Sequence, residues 1–117
     1  MSNLVTRIYA NIENGLIMVD TFRERLTKVC TTNNSLLCIG LDPDPSLMPI
    51  KDVFNFNKAI IDITVDLVCA YKPNLAFYEA LGAQGIDILV KTVSYIHRKA
   101  PHVLVLADAK RGDVDHT

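Results

Sequence analysis

The stretch VLVLADAKRGDVDHT (residues 103–117) joins an apolar run to a dense group of ionisable side chains. Apolar residues occupy both alternating faces of the run, which is typical of a parallel strand covered by helices on both sides. We therefore predict a buried strand over residues 102–110. Asp108 and Lys110 are two residues apart at its end, so we expect their side chains to point the same way.

Two earlier segments have the same character and lie at comparable intervals along the chain. LLCIGLD (residues 36–42) is followed by Pro-Asp-Pro, and VCAYKPN (residues 68–74) ends at Pro73-Asn74. Both are short apolar runs that end at turn-forming residues, which predicts strands. Helix-length patterns over residues 54–67 and 76–99 separate the three strands.

The first of these patterns predicts which helix face is buried. Four apolar residues at helical spacing form the expected buried face: Phe56, Ile60, Ile63 and Leu67. Three charged residues are expected on its solvated face: Lys58, Asp62 and Asp66. The second pattern ends in His97-Arg98-Lys99 ahead of Pro101, a helix stop, and Gly82 and Gly85 are candidate break points within it. Residues 3–30 are predicted to be helical as well.

The order of elements, a helix followed by β-α-β-α-β, is typical of α/β folds. Both an open doubly wound sheet and a (β/α)8 TIM barrel fit this order. We favour the barrel because no glycine-rich phosphate fingerprint follows the first strand. A barrel needs about 250 residues, so we expect residues 22–117 to be the N-terminal portion of a single TIM-barrel domain, truncated after the third strand. Residues 1–21 are interpreted as a helical N-terminal extension.

Composition narrows the class of protein. The chain has 117 residues, 50% of them hydrophobic, and a net charge of −1 from 12 basic and 13 acidic side chains. This balance provides no basic surface for nucleic acid, and the apolar run Leu16–Val19 is too short to span a membrane. Three cysteines without metal-type spacing indicate free thiols in a reducing compartment. We therefore expect a cytoplasmic protein without membrane or nucleic-acid partners.

Charged residues stand at the end of every predicted strand, namely Asp42, Lys72 and the Asp108/Lys110 pair. The carboxyl ends of parallel strands share one mouth, where the chemistry of α/β folds is carried out. Some of these residues also have a purely structural interpretation. Asp42 could start a turn, and Lys72 could extend its amine into solvent from a strand end. Asp113, which follows the third strand, could cap the next helix. Their convergence favours a functional site, since packing alone penalises buried charges.

Asp108-Ala-Lys110-Arg-Gly-Asp113 resembles the signature of the orotidine 5′-phosphate decarboxylase family, with Thr117 four residues on, as in its larger bacterial branch. LCIGLDPDP (residues 37–45) is similar to the first strand of that family. AYKPNLAFYEALG (residues 70–82) is similar to its second strand and following helix. Sister enzymes that act on sugar phosphates share the Asp-x-Lys-x-x-Asp motif, but the three blocks in this order favour the decarboxylase.

The resemblance implies a site in which two lysines alternate with two aspartates: Lys72, Asp108, Lys110 and Asp113. The family releases CO2 from orotidine 5′-monophosphate to give UMP in pyrimidine synthesis, without cofactor or metal. The resemblance implies a carbanion at C6 of the pyrimidine that Lys110 stabilises and protonates. Opposite charges in so close an array would keep all four groups ionised, and we expect the array to exclude water. Asp42 would hydrogen-bond the ribose.

The resemblance also implies a homodimer in which Asp113 and Thr117 reach the neighbouring subunit's site. Two alternatives stay open: an Mg²⁺-dependent sugar-phosphate decarboxylase or synthase of the same superfamily, and a non-catalytic truncated fragment. The Mg²⁺ alternative needs an acidic ligand near the second strand, where Lys72 stands. We do not expect the 117 residues alone to turn over substrate.

Overall fold

The computed structural model describes residues 20–113. The predicted extension, except for its last two residues, and the position of Thr117 lie outside the described residues. The described elements in chain order are α1 (Phe22–Thr32), β1 (Cys38–Leu41), α2 (Val53–Thr64), β2 (Ala70–Pro73), α3 (Leu75–Glu79), α4 (Gly82–Lys99) and β3 (Leu104–Val105).

The three strands form one parallel sheet in the order β1-β2-β3, which confirms the predicted α/β class with parallel strands. β3 is shorter than the predicted strand over residues 102–110. Its backbone nevertheless stays bonded to β2 beyond Val105: the N–H of Leu106 donates to the Tyr71 carbonyl at 2.8 Å, and that of Asp108 donates to Pro73 at 3.0 Å. β3 is an edge strand in the described part of the chain, so only one neighbour holds it extended.

Most of the core lies between one face of the sheet and the helices. Its centre is Tyr71, whose hydroxyl is hydrogen-bonded to Thr64 of α2 at 2.7 Å and which is fully buried together with Ile61 and Ile96. The opposite face of the sheet is exposed at Cys38, Gly40 and Lys72. Ala70 and Leu104, which lie on that same face, are buried, so the face is only partly open.

The prediction of the buried face of α2 was wrong by one position along the sequence. The buried residues of α2 are Val53, Asn57 and Ile61, whereas Ile63 is 74% exposed and Leu67, beyond the end of the helix, is 60% exposed. A polar residue, Asn57, occupies the middle of the true buried row. Its NH2 group donates to hydroxyls from two other helices, and sequence periodicity cannot detect such partners.

The predicted helix over residues 76–99 is two helices, α3 and α4, and they separate at Gly82. Gly82 has φ = 70°, a left-handed conformation that glycine adopts without steric cost. A break at Gly85 was wrong, because this residue lies inside α4. A Cβ on Gly85 would lie 1.9 Å from the carbonyl oxygen of Tyr78, so glycine is needed here for the close approach of α3 to α4.

The ends of α1 and α4 have the signals that start and stop helices. Thr21 and Glu24 form a capping box at the start of α1, in which each side chain accepts from the other's backbone N–H. The basic residues His97, Arg98 and Lys99 occupy the last turn of α4 as predicted. Within residues 20–113, every helix is too short or too polar to cross a membrane.

Candidate active site

The register of the sheet brings the strand ends into line. Asp108 forms an isolated parallel bridge with Asn74, and the N–H of Leu75 donates to the Asp108 carbonyl at 3.0 Å. Lys72 lies opposite Gly40 in the neighbouring strand. Because residues two apart on a strand share a face, Lys72 lies on the same exposed face as Asn74 and Asp108.

Two lysines converge on one carboxylate oxygen at this edge. The Nζ of Lys110 lies 2.6 Å from Oδ2 of Asp108, and the Nζ of Lys72 lies 3.9 Å from the same oxygen. Asp108 is therefore the centre of a three-residue array that joins the ends of β2 and β3. The array has two positive charges and one negative charge, so it attracts anions.

Asp108 is held in its ionised form by this arrangement. The hydrogen bond from Lys110 lowers the pKa of Asp108 below its usual value, against the opposing effect of partial burial. The positive charges of Lys110 and Lys72 lower this pKa further. A carboxylate that stays ionised between two ammonium groups can hold both of them in place at neutral pH.

The array is open to solvent, contrary to the expectation that it excludes water. The side chains of Lys110, Lys72 and Asp108 are 61%, 46% and 25% exposed. In the described part of the chain, three strands form an open sheet, and no further strand covers the ends of β2 and β3 that carry these side chains. Exposure weakens the attraction between the charges, because water screens them.

Lys110 is presented by a turn rather than by the strand itself. Its backbone has φ = 52°, in the left-handed region, and Gly112 has φ = 87°. A non-glycine residue in this region costs free energy that the surrounding contacts must offset. Arg111 supplies such contacts, since its guanidinium donates to the Ala109 carbonyl at 2.7 Å and pairs with Glu79 of α3 at 3.2 Å.

Asp42 lies at the end of β1, on the exposed face of the sheet. Its carboxylate turns back over Gly40: a Cβ placed on that glycine would lie 3.3 Å from Oδ2 of Asp42. A side chain at position 40 would therefore displace the carboxylate. Gly40 is the register partner of Lys72, so Asp42 lies on the same face of the sheet as that lysine.

The structure does not bring every predicted site residue into the array. Asp113 is exposed, and among residues 20–113 it takes part in no ion pair. Thr117 lies outside the described residues. Lys72, Asp108 and Lys110 thus come together, while the predicted fourth member, Asp113, forms no ion pair with them among the described residues. The roles of these residues in chemistry stay predictions.

Sequence reasoning missed a group of buried polar side chains behind the mouth: Asn57, Tyr78 and Thr92. All three are fully buried, and the hydroxyl of Tyr78 donates to the carbonyl of Leu41, directly before Asp42. The sequence signal that could have revealed this group is the presence of two polar residues, Asn57 and Thr92, inside otherwise apolar helical patterns.

Within the described residues, no group of three or more His, Cys, Asp or Glu side chains is arranged to hold a metal ion.

Comparison with known proteins adds independent evidence. The chain matches the family model "Orotidine 5′-phosphate decarboxylase / HUMPS family" over residues 35–117. It is 52% identical over 97 residues to orotidine 5′-phosphate decarboxylase from Dehalococcoides mccartyi strain BAV1, covering 82% of this chain and 35% of that protein. The corresponding enzyme of Cellvibrio japonicus is 49% identical over 105 residues, covering 83% of this chain and 38% of the relative.

A solved structure agrees with these matches. The Leishmania donovani OMP decarboxylase superimposes with a TM-score of 0.66 at 30% identity, covering 83% of this chain and 36% of that one. The chain therefore spans 35–38% of the length of these relatives. The family model matches well over half of the chain and includes every strand. This chain belongs to the orotidine 5′-phosphate decarboxylase / HUMPS family.

Proposed function

We propose that this chain is the N-terminal portion of a TIM-barrel orotidine 5′-monophosphate decarboxylase that forms UMP in pyrimidine synthesis. The observation that carries the proposal is the convergence of Lys72 and Lys110 on Oδ2 of Asp108. Relatives about 50% identical to the chain are named for this activity. They are longer than the chain, so the activity is proposed for a full-length protein that contains it.

The reaction needs a cation beside one carbon atom. When the bond between C6 and its carboxyl group breaks, CO2 leaves and the electron pair stays on C6. That pair lies in the plane of the pyrimidine ring, where the π system cannot delocalise it. A fixed ammonium stabilises the pair electrostatically and then transfers a proton to C6 as a general acid. We assign this role to Lys110, which regains its proton from solvent.

Asp108 and Lys72 would keep that ammonium charged and in position. The short contact between Asp108 and Lys110 favours the protonated amine, because a neutral amine could neither stabilise the carbanion nor protonate it. The ammonium of Lys72 lies 3.9 Å from the same carboxylate oxygen of Asp108. No cofactor takes part in this scheme. In the full-length protein we expect further strands to cover the array and to exclude water from it.

The remaining assignments concern the substrate and the subunits. Asp42, which lies over Gly40 on the exposed face, would bind the ribose. Asp113 is exposed and, within the described residues, forms no ion pair with the array of its own chain, which supports the proposal that it acts with Thr117 in the neighbouring site of a homodimer. We propose a cytoplasmic location because the three cysteines are free thiols.

The Mg²⁺-dependent alternative differs in its need for metal. That alternative requires an acidic ligand near the end of β2, where Lys72 stands within the ion-pair array. Ammonium groups are not metal ligands at neutral pH, since they carry no acceptor. The arrangement at β2 therefore supports the decarboxylase.

Turnover by the full-length protein tests the proposal. Purified protein, treated with EDTA and dialysed, is incubated with orotidine 5′-monophosphate, and the formation of UMP and CO2 is measured. We expect turnover that added Mg²⁺ does not change by more than twofold. Activity that appears only after Mg²⁺ is restored would support the sugar-phosphate class instead. A folded protein without turnover under both conditions would support the non-catalytic alternative.

A further inference from the structure

A continuous chain of buried hydrogen bonds runs from α4 to the end of β1. The hydroxyl of Thr92 donates to the Ile88 carbonyl at 2.8 Å and accepts from the Asn57 amide at 3.1 Å. The same amide donates to the hydroxyl of Tyr78 at 3.1 Å. Tyr78 in turn donates to the carbonyl of Leu41 at 3.0 Å. The chain therefore ends on the peptide group that joins Leu41 to Asp42.

The direction of every bond in this chain is determined. Each hydroxyl has one hydrogen, and both hydroxyls use it on a backbone carbonyl. Asn57 must therefore present its NH2 group, which has two hydrogens, to the two hydroxyl oxygens. Burial and the nearby Asp42 carboxylate raise the pKa of Tyr78 to about 12, so its hydroxyl keeps the hydrogen that it donates to Leu41.

The network retains one unfavourable feature. Oδ1 of Asn57 is buried and has no hydrogen-bond partner within the described residues. An unsatisfied buried acceptor costs about 1–3 kcal/mol. An apolar residue at position 57 would avoid this cost, so stability alone does not account for an asparagine there. Its amide does, however, orient the Tyr78 hydroxyl that contacts the end of β1.

We propose that Tyr78, oriented by Asn57 and Thr92, is a positioning residue that sets the direction of the Asp42 carboxylate in the mouth of the site. The hydrogen bond to Leu41 fixes the plane of the Leu41–Asp42 peptide, and this plane sets the direction of the Asp42 side chain. Gly40 leaves room for the carboxylate to turn back over the strand. This inference rests on the proposed function, in which Asp42 binds the ribose.

Tyr71 provides a matched control for Tyr78. Both tyrosines are fully buried, and both use their hydroxyl in hydrogen bonds. The hydroxyl of Tyr71, however, is hydrogen-bonded to two residues of α2, the Thr64 hydroxyl and the Ile61 carbonyl. Removing either hydroxyl deletes buried hydrogen bonds, but only that of Tyr78 contacts the strand end that carries Asp42. A purely structural role predicts the same result for both substitutions.

The experiment compares Tyr78→Phe and Tyr71→Phe in the full-length enzyme. We expect Tyr78→Phe to raise KM for orotidine 5′-monophosphate about fivefold, as loss of the one hydrogen bond from Asp42 to the ribose predicts, with kcat within twofold of wild type. Tyr71→Phe should leave KM within twofold. In an Asp42→Ala background, Tyr78→Phe should change KM by less than twofold, because the carboxylate that it positions is gone.

Two results would overturn the inference. One is a wild-type KM in the Tyr78→Phe enzyme, and the other is a full fivefold effect that persists in the Asp42→Ala background. Thr92→Val, which removes the far end of the network, gives a second measurement if Tyr78→Phe proves unstable: KM should rise at least twofold, and an unchanged KM would contradict the inference. A wild-type enzyme without turnover would instead refute the proposed function on which the inference rests.

Discussion

Lys110 and Asp108 form a 2.6 Å ion pair just beyond the short edge strand β3, although the turn that holds Lys110 is in the left-handed region. Strained residues at functional positions persist when surrounding contacts determine their conformation. Here the contacts come from Asp108 and from Arg111, which pairs with Glu79. The ammonium is therefore held at the strand end by a network that spans β2, α3 and the turn after β3.

The first prediction concerns the subunit boundary. Asp113 is exposed and, within the described residues, forms no ion pair with the array of its own chain, which fits a role in a partner's site. Full-length Lys110→Ala and Asp113→Ala proteins should each be inactive alone. After mixing and subunit exchange, half of the heterodimers' sites would have neither substitution, so up to about a quarter of wild-type activity should return.

Turnover of the mixture measures this recovery. The control is a mixture of Lys110→Ala with Asp108→Ala protein. Lys110 and Asp108 of a given subunit belong to the same array, so in a heterodimer each of the two arrays contains one substitution and no site is intact. No recovery in the first mixture, despite subunit exchange verified by mass spectrometry, would contradict a shared site.

The second prediction concerns the packing of α3 on α4. Gly85→Ala should destabilise the full-length protein by about 3 kcal/mol, the upper part of the range for overpacking, because the new Cβ would meet the Tyr78 carbonyl at 1.9 Å. Gly82→Ala is the matched control: no atom lies within 4 Å of its Cβ position, so only backbone strain of about 1 kcal/mol applies. Urea unfolding measures both. Equal losses in the two variants would disprove the close contact.

The third prediction concerns pH and the outer faces of α2 and α4. Asp62 accepts hydrogen bonds from Tyr95 and, at 2.6 Å, from Lys99. The Lys99 bond, followed by that of Tyr95, lowers the pKa of Asp62 from 3.8 to about 2. A carboxyl with a lowered pKa stabilises the folded state above its unfolded pKa, and this stabilisation is lost as the pH falls through the folded pKa.

Asp62→Asn should therefore lower the urea midpoint at pH 6, and the difference from wild type should shrink between pH 4 and pH 2. Asp87→Asn is the control, because Asp87 pairs with Lys91 on an exposed helix face. The control should change the midpoint little at either pH. A difference for Asp62→Asn that is constant from pH 6 to pH 2 would contradict the assignment.

The sequence predicted the elements well because their patterns are local. Three apolar runs that end in charged or turn residues, separated by helix-length segments, were sufficient for a parallel α/β sheet. The basic last turn of α4 and the break at Gly82 were also local signals. The order of three family-like blocks was enough to indicate the family, which the match over residues 35–117 establishes.

The features that could not be predicted depend on partners distant in sequence. Asn57 interrupts the apolar pattern of α2, and the partners of its NH2 group are the hydroxyls of Tyr78 and Thr92, which are distant in sequence. This one residue shifted the predicted face of α2 onto the exposed Ile63. The glycine requirement at position 85 depends on a carbonyl of another helix. The left-handed turn at Lys110 likewise has no sequence signal, since the residue is not a glycine.

The central claim is that Lys110 supplies the positive charge and the proton at C6. The most direct test is the single-turnover decarboxylation rate of full-length Lys110→Ala enzyme, with Lys91→Ala as a control that removes an exposed helical lysine. Loss of an electrostatic stabiliser and general acid together predicts a fall of at least about a thousandfold, and the control should stay within twofold of wild type. A Lys110→Ala rate within tenfold of wild type would contradict the account.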